Sequence, residues 1–190
     1  MEGRLFHVSH TGDIKVLKPK ISTHGKAYVY ATKNLELALL FGSSKSYGDF
    51  DGMYGTINNK PYFYEAYQGA LKRRFKGESC YIYEVDPTDF IEGETSFKSE
   101  VVSEKPVKVL SCTKIDDLYD YLLKLIDEGK IEFKQYSLDV DYQKEIKERI
   151  KNRIELFETW KDKESIGYKF CLQYHSGILK QVEEKSKTID

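Results

Sequence analysis

The spacing of apolar residues changes once along this chain, near residue 116, and that change constrains the fold more than any other feature. Before it, apolar residues come in short alternating bursts bounded by turn residues; the clearest is Cys80-Tyr-Ile-Tyr-Glu-Val85, ended by Asp86-Pro87. Such a pattern reads as half-buried strands. After it, Leu118, Leu122, Leu125 and Ile126 recur at three- and four-residue steps, as do Ile146, Ile150, Ile154, Phe157 and Trp160. These are apolar faces of helices. Strands gathered in one part and helices in the other give an α+β fold rather than alternating βαβ units. The expected organisation is an α+β domain over residues 1–115 with a helical extension over 116–190 packed on it.

Within the first part we read strands over 4–9 and 27–31, an extended edge over 14–19 closed by Pro19, and a turn at Thr23-His24-Gly25-Lys26. Thr32 is the expected N-cap of a helix over 33–41, with Gly42 at C′. Residues 42–60 show little apolar periodicity and read as the longest irregular stretch. Residues 99–110 carry two short strands parted at Lys105-Pro106, because Pro106 cannot donate to a ladder. In the second part Asp116 is the expected cap of the first helix and Gly129 its stop. A second helix is expected over 141–163, with Glu145 and Arg149 spaced as an i,i+4 pair, and a third over 165–185.

Composition narrows the function. The 190 residues hold 30 Lys and Arg against 31 Asp and Glu, a formal net charge of -1, so no global basic field draws the chain to nucleic acid or to an anionic membrane. Three widely spaced cysteines, Cys80, Cys112 and Cys171, show neither disulfide nor zinc spacing. His10 and His24 have no neighbouring ligand pattern, and no metal is expected. No cysteine sits beside a histidine as a nucleophile pair would. The first residues lack an apolar signal core and no stretch is apolar over the length of a membrane span, so the expectation is a soluble, cytoplasmic protein. The run Lys72-Arg73-Arg74-Phe75-Lys76 is either a phosphate contact or, more ordinarily, a solvated face.

Three short motifs carry the remaining signal. Phe6-His7-Val8-Ser9 is a strand of the form aromatic-His-x-Ser. Val29-Tyr30-Ala31-Thr32 is a second strand, followed through a helix by the small residue Ala38 and the aromatic Phe41. Glu100 opens the β-branched strand Glu100-Val-Val-Ser-Glu104. Together these resemble the His-Tyr-Glu branch of the ADP-ribosyltransferase fold, the branch that includes poly(ADP-ribose) polymerases. The resemblance covers about the first 110 residues; Val8 stands where family members commonly have Gly.

The resemblance implies a split β-sheet core that takes NAD as substrate. Tyr30, or Tyr28 on the same face, would sandwich the nicotinamide with Phe41, each aromatic contact contributing about 0.5–1.5 kcal/mol beyond area burial. His7 would bond a ribose hydroxyl, the Val8 backbone the carboxamide, and Ser9 would add a hydroxyl nearby. Glu100, with Glu104 as second candidate on the same side of an extended segment, would bond the ribose and stabilise the oxocarbenium-like cation as nicotinamide leaves. The acceptor of ADP-ribose and the oligomeric state are not legible. Two alternatives follow from the same residues: a catalytically inactive nucleotide-binding or regulatory module on this fold, and a 2′-phosphotransferase-like enzyme using Arg4, His7 and His10.

Overall fold

Local sequence signals build each element of the computed structural model, which describes residues 3–21, 25–45, 47–95 and 98–187. The described strands are β1 Leu5–Ser9, β2 Val16–Leu17, β3 Lys20–Ile21, β4 Ala27–Thr32, β5 Gly52–Ile57, β6 Lys60–Glu65, β7 Cys80–Val85, β8 Ile91–Glu92, β9 Glu100–Ser103, β10 Val107–Ile115 and β11 Glu132–Lys134. The helices are α1 Leu35–Leu40, α2 Ala70–Phe75, α3 Leu118–Asp127, α4 Val140–Leu156, α5 Ile166–Tyr174 and α6 Ser176–Ser186. The protein is therefore mixed α+β with antiparallel strand pairing, as the change of period predicts.

Two compact units can be separated. The first holds residues 1–44, 55–61 and 75–132; the second holds 45–54, 62–74 and 133–190. The sequence places a boundary at 115/116, whereas α3 groups here with the strands and two short segments from the first half group with the later helices.

In the first unit the strand order is β2-β10-β7-β1-β4-β9-β8, with β3 pairing the far end of β4. Alternation along these strands sends Leu5, Val29, Ala31, Tyr83, Val85, Val101 and Val107 into one core, joined by Leu17 and Phe90. Burying a side chain of this kind contributes about 1.5–3 kcal/mol. α1 packs on β1, β4 and α3. Along β10 the register slips between Val109 and Ser111, leaving Leu110 as the extra, exposed residue of a bulge.

The second unit has its own core, in which Ile146, Ile150 and Ile154 of α4 meet Phe170 and Cys171 of α5, Leu179 and Val182 of α6, and Phe50 and Ala66. The ridge read from the sequence is present but shorter than expected. α4 is capped by Asp139, whose carboxylate accepts from the Tyr142 N–H, and ends at Leu156. Glu158 then adopts a left-handed conformation, φ 49°. The single helix expected over 165–185 is two, broken at His175.

Two further corrections concern caps and loops. Asn34, not Thr32, caps α1: its side-chain oxygen accepts from the Leu37 N–H at 2.7 Å, while the Thr32 hydroxyl accepts from the Asn34 N–H. Asp117, not Asp116, caps α3 by accepting from the Asp120 N–H; Gly129 does stop it, at φ 69°. The stretch 42–60 is not irregular throughout. It includes β5, which pairs with β6 in the sheet β11-β6-β5. Asn58 and Asn59 connect the two strands, both at positive φ (51° and 63°), as a two-residue type I′ hairpin requires. Gly52 is required inside β5, because a Cβ there would lie 2.2 Å from the Tyr64 carbonyl oxygen. The expected turn at 23–26 lies largely outside the described residues, His24 included. Among the described residues no helix is long and apolar enough to cross a membrane.

Candidate functional site

The strands carrying His7, Tyr30 and Glu100 are β1, β4 and β9, and they are consecutive in the sheet. Their register forms a row: Phe6 faces Thr32, and Thr32 faces Glu100. Opposed residues of an antiparallel pair project to the same side, and residues two apart share a side. Tyr30, Thr32 and Glu100 therefore lie on one face, with Tyr30 opposite Val102. His7 follows Phe6 and belongs by alternation to the other face, where its ring lies 6.5 Å from that of Tyr83.

A break in the ladder lets the His7 ring meet the Tyr30 backbone, while the two side chains stay on opposite faces. Among the described residues β1 and β4 are joined by the single pair Phe6↔Thr32. Where the next pairs toward Ser9 would form, the imidazole intervenes and its Nδ1–H donates to the Tyr30 carbonyl at 2.7 Å. A carbonyl only accepts, so the proton is on Nδ1 and the Nε2 of the neutral ring keeps its lone pair. Burial, above all, holds the His7 pKa below its ordinary value, against the Tyr30 carbonyl, which raises it; the nearby Lys20 charge also lowers it. At neutral pH the histidine is an uncharged acceptor held at the seam between two strands.

The other candidates are placed as follows. Tyr28 is buried, its hydroxyl donating to Glu94 at 3.1 Å and its ring edge-on to Tyr30 with centroids 5.8 Å apart. That leaves the half-buried Tyr30 as the more accessible of the two rings. Ala38 is fully packed on α1, and Phe41, the C-cap of that helix, is 38% exposed. The Ser9 hydroxyl is engaged locally, accepting from the Thr11 N–H at 3.1 Å. β9 ends at Ser103, so Glu104 stands exposed in the following bend and does not share a strand face with Glu100. Glu100 is half-buried at the strand's start. Among the described residues no group of three or more His, Cys, Asp or Glu side chains is placed to hold a metal ion.

No family model, curated protein or solved structure matches the chain. The chemistry must therefore be argued from the residues alone.

In the second unit the basic run behaves differently from a solvated face. Arg74 is 1% exposed and Asp51 is fully buried. Arg73 grips Asp51 bidentately, Nε to Oδ1 at 2.9 Å and Nη2 to Oδ2 at 2.8 Å, and also donates to the Lys45 carbonyl. Tyr67 donates to the same carboxylate at 2.6 Å. Arg74 lies 3.9 Å from Asp51 and 3.2 Å from Asp49. Burial pushes the Asp51 carboxyl up, while Tyr67 and the two guanidiniums pull it down. Buried ions cost several kcal/mol each to desolvate, and only dense charge-assisted bonding of this kind offsets that cost. Sequence reasoning missed this network. Its one visible signal was Asp49-Phe-Asp51 upstream of Arg73-Arg74, complementary charges on either side of the β5–β6 hairpin in sequence.

Proposed function

We propose that the β1–β4–β9 region binds NAD and cleaves its nicotinamide–ribose bond, passing ADP-ribose to an acceptor. The observation that carries this reading is adjacency: three strands far apart in sequence, each bearing one part of a His-Tyr-Glu motif, are neighbours in that order. The neutral His7 supports it, since its Nε2 lone pair can accept a ribose hydroxyl. Where the β1–β4 ladder stops, the Val8 backbone can take the carboxamide. Tyr30 supplies one aromatic wall and Phe41, at the end of the helix packed on these strands, the other. Glu100 supplies the fixed anion. As the C–N bond breaks, nicotinamide leaves with the bonding electrons, positive charge develops on the ribose, the Glu100 carboxylate stabilises it, and the acceptor nucleophile closes the new bond. Glu100 takes this role ahead of Glu104 because it alone stands on the strand next to Tyr30.

Calorimetric titration of NAD and nicotinamide tests binding, and nicotinamide release tests chemistry. Tyr30→Ala is expected to abolish binding. Glu100→Gln is expected to keep binding but cut release at least about a hundredfold, the scale of losing one preorganised electrostatic group, while Glu104→Gln changes little. No heat at millimolar NAD, or full release by Glu100→Gln, overturns the reading.

A further inference from the structure

The charge network of the second unit is not balanced. Asp51 is saturated by Arg73, Tyr67 and Arg74. Asp49, itself in a left-handed conformation at φ 59°, divides its two oxygens between Arg74 at 3.2 Å and Arg153 at 3.6 Å and also bonds Tyr54. Arg149, one turn before Arg153 on α4, has no hydrogen bond or ion pair among the described residues. The i,i+4 pair with Glu145 expected from the sequence does not form; Glu145 is exposed. Three guanidiniums thus share two carboxylates and a fourth, Arg149, pairs with neither, leaving an excess of two positive charges. The Nε atoms of both Arg149 and Arg153 are buried with no hydrogen-bond partner.

We propose that Arg149 and Arg153, backed by Arg74, form a binding site for a phosphate monoester or pyrophosphate group. Residues four apart on a helix place their Cβ atoms about 5–6 Å apart, so two guanidinium forks can close on one tetrahedral oxyanion, a geometry that arginine matches bidentately. Neither side chain is fully covered: Arg149 is half-buried and the Arg153 side chain is 21% exposed. A dianion cancels the excess of two charges, whereas one carboxylate would leave a charge over. The half-buried Tyr62 phenol also acts on Arg149 and can donate to the same ligand, whereas the Tyr54 hydroxyl is engaged with Asp49. Burial, above all, and the Arg153 charge hold the Arg149 guanidinium below its ordinary pKa, against the attraction of Tyr54, Tyr62 and Asp49.

The site does not rest on the NAD reading. The test titrates inorganic pyrophosphate into the full chain by calorimetry and follows thermal unfolding, with ionic strength held by sodium chloride. Wild type should bind and gain thermal stability. Arg149→Met should unfold at the same or a higher temperature than wild type in chloride alone, because it removes an uncompensated charge, and should bind pyrophosphate at least about tenfold more weakly, the fold-change for losing one charge-assisted contact. Arg149→Lys keeps the charge without the fork and should weaken binding by several fold in a folded protein. Tyr30→Ala should leave pyrophosphate binding unchanged, which separates failure here from failure of the NAD reading. The proposal is overturned if wild type does not bind, if neither Arg149 variant loses affinity, or if Arg149→Met unfolds below wild type in chloride, which would mark the guanidinium as already satisfied in the fold.

Discussion

Acid should destabilise the second unit through one residue, His175. It ends α5 and begins α6 with its ring buried, and Nε2–H donates to the Phe50 carbonyl at 2.8 Å. Burial pushes its pKa down to about 4, against the carbonyl, which raises it. In the unfolded chain the value is about 6.5. The folded state therefore prefers the neutral ring, and the stability this confers is present above the unfolded pKa and lost as pH falls toward the folded one. A difference of about 2.5 pKa units at about 1.4 kcal/mol each amounts to about 3 kcal/mol at full loss, of which about 2 kcal/mol is gone between pH 7 and pH 5. Urea unfolding at a series of pH values measures this, and His175→Gln isolates it, because a glutamine amide can still donate to the Phe50 carbonyl but does not titrate. Wild type should lose about 2 kcal/mol more than His175→Gln over that interval. Parallel pH profiles for the two proteins would refute the reasoning.

Asp51→Asn should destabilise the protein by about 3 kcal/mol in the same urea assay, since it removes the anion that the half-buried Arg73 and the buried Arg74 share; a loss below about 1 kcal/mol would show the network to be wet. Asn59→Gly should stabilise by a few tenths of a kcal/mol to about 1, because glycine adopts the required positive φ without strain in a hairpin turn that favours Asn-Gly, whereas Asn59→Val should lower the midpoint.

What was legible in the sequence was whatever a local pattern specifies. The strand at 80–85, the break at Pro106 and the apolar faces of α3 and α4 all follow from period and from proline's missing donor. The caps were misplaced by one or two residues because several polar residues sit at each helix start, and only the backbone decides which oxygen reaches the N–H three residues on: Asn34 rather than Thr32, Asp117 rather than Asp116. The β5–β6 hairpin was missed because its turn uses Asn-Asn, a weaker form of the Asn-Gly signal. The break between α5 and α6 has no glycine or proline marking the last turn; it falls where the His175 ring meets a carbonyl 125 positions earlier, a contact no local window contains. For the candidate site, the strands of His7, Tyr30 and Glu100 were named correctly as strands, but their adjacency and the parting of β1 from β4 are properties of pairing and could not be read from the residues.

The same distinction explains why α4 was only half understood. Its isoleucines at 146, 150 and 154 form a clean buried row, and that row announces itself through period. Arg149 and Arg153 each follow a buried isoleucine by three residues, which places them beside that row, where a long charged side chain either snorkels to water or is drawn under neighbouring elements. The sequence offers Glu145 as an alternative that keeps Arg149 in solvent, and an i,i+4 surface pair contributes only about 0.3–0.5 kcal/mol. So weak a preference yields readily to the pull of Tyr54, Tyr62 and Asp49. A surface pair would have left the helix inert on that side; an arginine turned inward beside carboxylates already saturated leaves a positive site that only a further anion can complete.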